Sequence, residues 1–312
     1  MTVRAEAIDQ LRRALLASRN SDGGWGYHAG KHSRLEPTAW ALLALAEDPA
    51  ADTTSALVEV LARWQRPDGL LTCVPSAPPN LAFNGLATIA LLHAAHAHPD
   101  LALIDPLLGR LLRGIVAIKG STFSLAQRAF LWLVPSATTS QQDNDLRGWP
   151  WVEGTFSWVE PTAWCLLALK RSRLQMAPAP GAGRIEEAER LLLDRCCTGG
   201  GWNYGNSNML GRDLMPYVPT TALGLLAMRD RGVAAEVRRS ADFLARNRTA
   251  EFSGMALSLA AIALRAYGLA VDDVEDALIE DATRTGLQNN AVRATALCAL
   301  TGGSGDAPPF AV

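Results

Sequence analysis

Apolar positions fall along the chain in two alternating patterns. Residues 7–18 carry Ile8, Leu11, Ala14 and Leu15 near helical spacing, with Gln10, Arg12 and Arg13 on the opposite face, the pattern of a helix with one side in water. The stretch 37–46 is apolar almost throughout and opens on a proline. It predicts a helix buried on more than one side, with Pro37 at its first position. The alternation then repeats. Amphipathic stretches at 54–64, 101–119, 184–195, 234–246 and 272–285 predict further outer helices. Apolar stretches at about 81–95, at 161–171, from 219 onward, at 253–267 and at 289–300 predict their inner partners. The third inner helix is delayed. Residues 123–134 have a helical pattern but lead into a polar loop at 136–146, so a long inserted segment is expected at about 120–158.

Helix pairs recurring at intervals of roughly 35 to 60 residues mark a repeat array. Uniformly apolar second helices favour closure of that array, because in a ring each inner helix has inner neighbours on both flanks and outer helices behind it. The expected fold is all-α, an (α/α)6 toroid of six inner and six outer helices spanning residues 1–312 as one domain. Composition agrees with so much buried helix: hydrophobic residues reach 49% and charged ones only 19%. A net charge of −2 without clustered lysine and arginine argues against a nucleic-acid partner. The five cysteines, Cys73, Cys165, Cys196, Cys197 and Cys298, are odd in number and two are vicinal, which fits a reducing cytosol better than a disulfide framework. The first residues lack the apolar core of a secretory signal, and no apolar run reaches the ~18 residues of a membrane span. A cytoplasmic protein is expected.

Candidate chemistry concentrates between Gly148 and Trp164, where Trp149, Trp151, Trp158 and Trp164 crowd a loop that runs directly into an inner helix. The ending of that loop, Glu160-Pro161-Thr162-Ala163-Trp164, repeats Glu36-Pro37-Thr38-Ala39-Trp40. Three turns, Asp22-Gly23-Gly24-Trp25, Gln65-Arg66-Pro67-Asp68-Gly69 and Gly200-Gly201-Trp202, share a further pattern. They resemble the Gln-Trp turns of the prenyltransferase and squalene-cyclase repeat superfamily, with Leu71 where tryptophan is expected and Arg19 or Cys196 where glutamine is. The resemblance covers nearly the whole chain as architecture and implies a terpenoid-cyclase-like toroid that handles an apolar isoprenoid. In class II cyclases of this superfamily an Asp-x-Asp-Asp-Thr-Ala motif opens an inner helix, and its middle aspartate protonates the substrate. Registered on Thr-Ala, this chain reads Trp158-Val159-Glu160-Pro161-Thr162-Ala163, with Glu160 at the donor position and Trp158 and Pro161 replacing the flanking aspartates. The resemblance thus implies protonation-initiated cyclisation with Glu160 as general acid, in an isomerase or lyase lacking the full aspartate motif. Glu36 is the second catalytic candidate. No cofactor is implied; magnesium enters only if the substrate carries a diphosphate. Relatives that draw isoprenoids from bilayers also suggest peripheral membrane contact, for which the amphipathic helix at 101–119 is the candidate.

Each of these residues also has a plainer role open to it. A glutamate at or near a helix N-cap sits at the positive end of the helix dipole, which favours carboxylate, whereas burial favours the protonated acid. Glu160 and Glu36 are equally suited to a structural hydrogen bond with a neighbouring loop. The tryptophans can stabilise a carbocation with their ring faces or wedge between outer helices. The wedge is the expectation for Trp25 and Trp202, while Trp149, Trp151 and Trp158 are candidates to line a cavity. Trp164, Phe156 and Tyr217 complete the substrate-binding candidates.

Other constellations carry less. Asp272-Asp273-Val274-Glu275-Asp276 matches the Asp-Asp-x-x-Asp magnesium signature of class I terpene synthases, but acidic residues are expected at a helix start and no partner motif occurs. His93 and His96 share a helix face without a third ligand, so no metal is expected. Asp143-Asn144-Asp145 reads as a solvated loop. Two further functions fit the same residues: a non-catalytic toroid binding a hydrophobic ligand or protein partner, and an (α/α)6 carbohydrate-active enzyme using Glu36 and Glu160 as its carboxylate pair.

Overall fold

A computed structural model describes residues 2–47, 51–134, 142–176, 181–302 and Phe310. In chain order, α1 (Val3–Ala17) precedes α2 (Leu35–Leu45), α3 (Ala51–Arg63) precedes α4 (Leu81–Ala97), and α5 (Ile104–Ala117) leads through α6 (Leu125–Leu133) to α7 (Val159–Gln175). Then come α8 (Ala182–Asp194) and α9 (Val218–Ala227), α10 (Ala235–Asn247) and α11 (Gly254–Ala266), and α12 (Asp272–Thr285) and α13 (Asn290–Thr301). A short antiparallel hairpin, β1 (Asn208–Met209) and β2 (Arg212–Asp213), precedes α9.

The even-numbered helices α2 and α4, followed by α7, α9, α11 and α13, pack each against the next, and α13 returns to pack on α2. That contact closes the ring, and the chain is an all-α toroid of six inner and six outer helices. Burial explains the sequence of the inner ring: on α7 even Lys170, Arg171 and Ser172 are buried. The Lys170 ammonium is matched by Glu189 of α8 at 2.7 Å, an ion pair that fixes the inner helix against the outer one. Each outer helix stacks chiefly on the inner helix preceding it, α3 on α2 and α5 on α4 for example, and α1 packs on α13 and its neighbour α12. The ring is therefore sealed by the two ends of the chain meeting.

Tryptophan turns set the register between successive helices. The Trp25, Trp149 and Trp202 side chains are fully buried. Their indole N–H groups donate to the carbonyls of Leu15, Ile115 and Leu192 at the ends of outer helices, at 2.7, 2.8 and 2.7 Å. Their backbone N–H groups donate to the hydroxyls of Thr38, Thr162 and Thr221 in the first turn of the next inner helix, at 3.0, 2.9 and 3.0 Å. Leu71 occupies the equivalent place, its N–H bound by the Asn84 side chain at 2.7 Å. The glycine before each tryptophan follows from this approach: a Cβ on Gly148 would stand 2.2 Å from the Thr162 hydroxyl oxygen. Pro-Thr at the inner-helix entrance is thus architecture.

Three sequence expectations need correction. Proline occupies the third position of α2 and α7, not the first, because each helix starts two residues earlier, at Leu35 and Val159. Trp149 is a wedge like Trp25 and Trp202, with the Arg184 guanidinium stacked 4.1 Å over its ring. The apolar face of the helix within 101–119 is not free to meet a membrane: Leu107, Leu108, Leu111, Leu112 and Ile115 are buried in α5, which packs on α4. Exposed apolar side chains lie instead on α6, where Leu125, Phe130, Trp132 and Leu133 face solvent. Among the described residues no helix is long and apolar enough to cross a membrane. Of the polar loop at 136–146, residues 136–141 lie outside the described residues.

Candidate active site

The inner helices converge with their N-terminal turns around a chamber of about 320 Å³. Glu36 and Trp40 enter it from α2, Phe83 from α4, and Glu160 and Trp164 from α7. Tyr204 and Glu251 reach it from the loops before α9 and α11. Glu36 and Glu160 are each the second residue of their helix, and Trp40 and Trp164 follow one turn deeper, where their rings meet edge to face at 5.7 Å. Phe310 is buried against both indoles, with centroids at 6.2 and 6.4 Å.

Neither α2 nor α7 has a side-chain N-cap, whereas α4, α11 and α13 are capped by Asn80, Ser253 and Asn289. The first turns of α2 and α7 carry their chamber glutamates instead. Helix α9 is capped from outside, the Val218 N–H donating to the Glu251 carboxylate at 2.6 Å. Three acidic side chains therefore enter the chamber from alternate positions of the six-membered ring: α2, α7 and the entrance to α11.

The two repeated glutamates are both raised by burial but have different neighbours. Burial pushes the Glu160 carboxyl up to about 7, the negative charge of Glu36 pushes in the same direction, and a hydrogen bond from Trp164 opposes them. Burial is the largest influence on Glu160. Glu36 is also raised by burial, but the Tyr27 hydroxyl donates to it at 2.6 Å and favours its charged form. At neutral pH Glu160 is thus a partly protonated acid in a cavity walled by aromatic rings. Such a group can deliver a proton where water is scarce.

A second cavity of about 680 Å³ opens beside the chamber. Phe123, Phe156, Trp158, Met215 and Tyr217 contribute to its walls, and Tyr204 lines both spaces. The candidates from the tryptophan loop are therefore distributed. Trp164 joins Glu36 and Glu160 in the chamber; Phe156, Trp158 and Tyr217 line the outer cavity; Trp151 packs edge-on to Phe83 at 6.4 Å and lines neither. Trp149 lies outside both. Sequence reasoning missed Trp40, although it ends the same pentapeptide as Trp164. It also missed Tyr27, nine residues before Glu36, and Tyr204 and Glu251, whose contacts come from loops distant in sequence.

The remaining constellations have structural partners. Asp273 pairs with Arg248 at 2.8 Å, and Glu275 is buried between Arg265 and Arg4. His93 is a core side chain whose pKa burial lowers to about 4. Asp145 pairs with Arg128. Among the described residues no three His, Cys, Asp or Glu side chains converge as a metal site would require.

Fold and chamber together define an α/α toroid with an acidic, aromatic-walled centre. No family model matches the chain. By sequence it is similar to drimenyl diphosphate synthases: that of Streptantibioticus cattleyicolor is 39% identical over 94 residues, and that of Streptomyces showdoensis 29% identical over 218 residues. The matches cover 28% and 69% of this chain, which spans only 18% and 36% of the length of those enzymes. Among solved structures, the type II terpene cyclase MstE from Scytonema superposes with a TM-score of 0.61 at 16% identity, over 97% of this chain and 99% of that one. An alpha-amylase from Clostridium perfringens superposes with a TM-score of 0.64 at 10% identity, over 95% and 97%. The chain is thus distantly similar to drimenyl diphosphate synthases in sequence, and its fold is one shared by type II terpene cyclases and glycoside hydrolases.

Proposed function

We propose that the protein cyclises an apolar isoprenoid by protonating it, with Glu160 as the general acid. The observation that carries this function is Glu160 itself: a carboxyl held near neutral pKa by burial and by Glu36, in a chamber whose walls include Trp40, Trp164, Phe83 and Tyr204. Transfer of its proton to a terminal alkene breaks the O–H bond, forms a C–H bond and leaves a carbocation. The faces of the surrounding rings favour that cation over the neutral chain, which stabilises the reaction's high-energy states more than its ground state. Successive alkenes close rings on the cation, and loss of a proton to a chamber carboxylate ends the sequence with no net change in composition, an isomerisation. Exclusion of water protects the intermediate from early capture.

Similarity to the drimenyl diphosphate synthases supports the reaction class, as does MstE, which has been solved with its product merosterolic acid A. The likeness to carbohydrate-active enzymes is of fold alone. The free cysteines are consistent with a cytoplasmic protein. The test is incubation with a panel of polyprenyl diphosphates and uncharged isoprenoids, followed by gas chromatography and mass spectrometry. Cyclised products that disappear with Glu160→Gln support the assignment. Saturable binding without any product would instead make the protein a hydrophobic-ligand carrier.

A further inference from the structure

The chamber and the outer cavity adjoin in a way that bears on the charge of the ligand. Tyr204 is a wall of both, and Trp158 of the outer space lies two residues before Glu160 of the inner one, across the start of α7. At about 320 Å³ the chamber lies at the lower end of ligand pockets, and the outer cavity adds about 680 Å³ of largely apolar space. A polyprenyl chain with its reacting end at Glu160 would lay its other end among Phe123, Phe156, Trp158 and Tyr217.

That path is poor in positive charge. Among the described residues lining the chamber there is no lysine or arginine, and three glutamates face it. The outer cavity has one, Arg195, which is held by the Asp194 carboxylate and donates to the Asp143 carbonyl at 3.2 Å. Arg34, at the entrance to α2, lines neither space. Helix N-termini can also bind an anion, but N–H groups in the first turns of α4, α7, α9 and α11 are engaged. Val159 donates to the Tyr204 carbonyl at 2.9 Å, Leu81 to the Trp151 carbonyl at 2.9 Å and Val218 to Glu251 at 2.6 Å, while Phe83 and Ala256 are bound by Asn80 and Ser253. A diphosphate on this path would meet like charges without a partner, which discriminates against it as strongly as any attractive contact would select for it.

We propose that the chamber and outer cavity form one continuous site for an uncharged isoprenoid, and that this site selects against polyprenyl diphosphates. The substrate class differs from what the names of the sequence relatives suggest, and the proposal rests on the cyclase function above only for the orientation of the chain.

Equilibrium titration followed by tryptophan fluorescence tests it, with farnesyl and geranylgeranyl acetate set against the matching diphosphates, each with and without magnesium. The acetates should bind at least roughly tenfold more tightly than the diphosphates, the scale that like-charge juxtaposition produces. Trp158→Ala, at an exposed position outside the core, should weaken acetate binding several-fold. Equal or tighter binding of the diphosphates, binding of neither class, or an unchanged acetate affinity in Trp158→Ala would overturn the proposal. Turnover separates it from the cyclase function. Acetates that bind preferentially without being cyclised leave the charge selection standing and remove the chemistry. Diphosphates that bind best and are cyclised in a Glu160-dependent way do the reverse.

Discussion

The pentapeptide Glu-Pro-Thr-Ala-Trp occurs twice, at Glu36–Trp40 and Glu160–Trp164, and the two copies fold alike but are set up for different chemistry. In both, threonine binds the backbone of a tryptophan turn, glutamate is the second helical residue, and the final tryptophan points into the chamber. The neighbours differ. Glu36 accepts the Tyr27 hydroxyl, which supports its charge; Glu160 has no such donor among its described hydrogen bonds beyond Trp164, and it feels Glu36 as an added negative charge. The identical pentapeptide thus fixes position and leaves protonation to residues outside it, Tyr27 in the preceding loop for Glu36 and Glu36 itself for Glu160. On the proposed function this becomes a division of labour, with Glu160 as the acid and the charge of Glu36 helping to raise it.

The most forceful way to break the comparison is to remove each carboxylate in turn. Glu160→Gln should lower kcat by about 10²–10⁴-fold, the usual contribution of a positioned general acid. Glu36→Gln should cost no more than roughly tenfold, since it acts through a neighbour. Equal losses from both variants, measured on the same isoprenoid, would mean that the two copies share one function. In the unaltered protein turnover should fall as pH rises through about 7, because the active form of Glu160 is the protonated one.

Glu160→Gln should move stability in the opposite sense to activity. The carboxyl of Glu160 is raised above its unfolded value, so its contribution to stability is fully present below about 4.5 and is lost as pH rises through about 7. Glu160→Gln removes the cost of a buried charge. It should therefore stabilise the fold by about 1–3 kcal/mol above neutrality and by nothing near pH 4. Denaturant unfolding at the two pH values measures this. A destabilised variant at pH 8 would show that the carboxylate is held by a favourable contact, as Glu36 is by Tyr27.

The ring was legible because its cause is periodic. Apolar inner helices need inner neighbours, and the spacing of helix pairs carries that requirement in every repeat. Entrances to the chamber were half legible. Glu160, Glu36 and Trp164 are written into a repeated pentapeptide; Gly148-Trp149 repeats the Gly-Trp of the other two wedges, but that sign is masked by the tryptophan-rich loop around it. Glu251 and Phe310 could not have been found, because each acts on helices far along the chain. The hairpin before α9 was hidden for a local reason. Its turn puts Leu210 and Gly211 at φ of 51° and 73°, where leucine stands in place of the asparagine or aspartate that normally announces such a turn.

Subtler effects sharpen the comparison by leaving the Glu160 carboxyl in place. Glu36→Gln removes the negative charge that helps to raise Glu160, so the pH at which turnover falls should move downward. Tyr27→Phe should move it in the same direction by less. Without the hydroxyl, Glu36 loses the hydrogen bond that favours its charged form, becomes more easily protonated, and presents less negative charge to Glu160. The lost hydrogen bond itself should cost about 1 kcal/mol of stability, a change that a calorimetric scan resolves from the kinetic one. A pH profile that moves upward in Tyr27→Phe would contradict the charge coupling. A change in KM with the profile fixed would make Tyr27 and Glu36 a wall that the ligand touches, and the second copy of the pentapeptide would then be a binding surface with no part in tuning the acid.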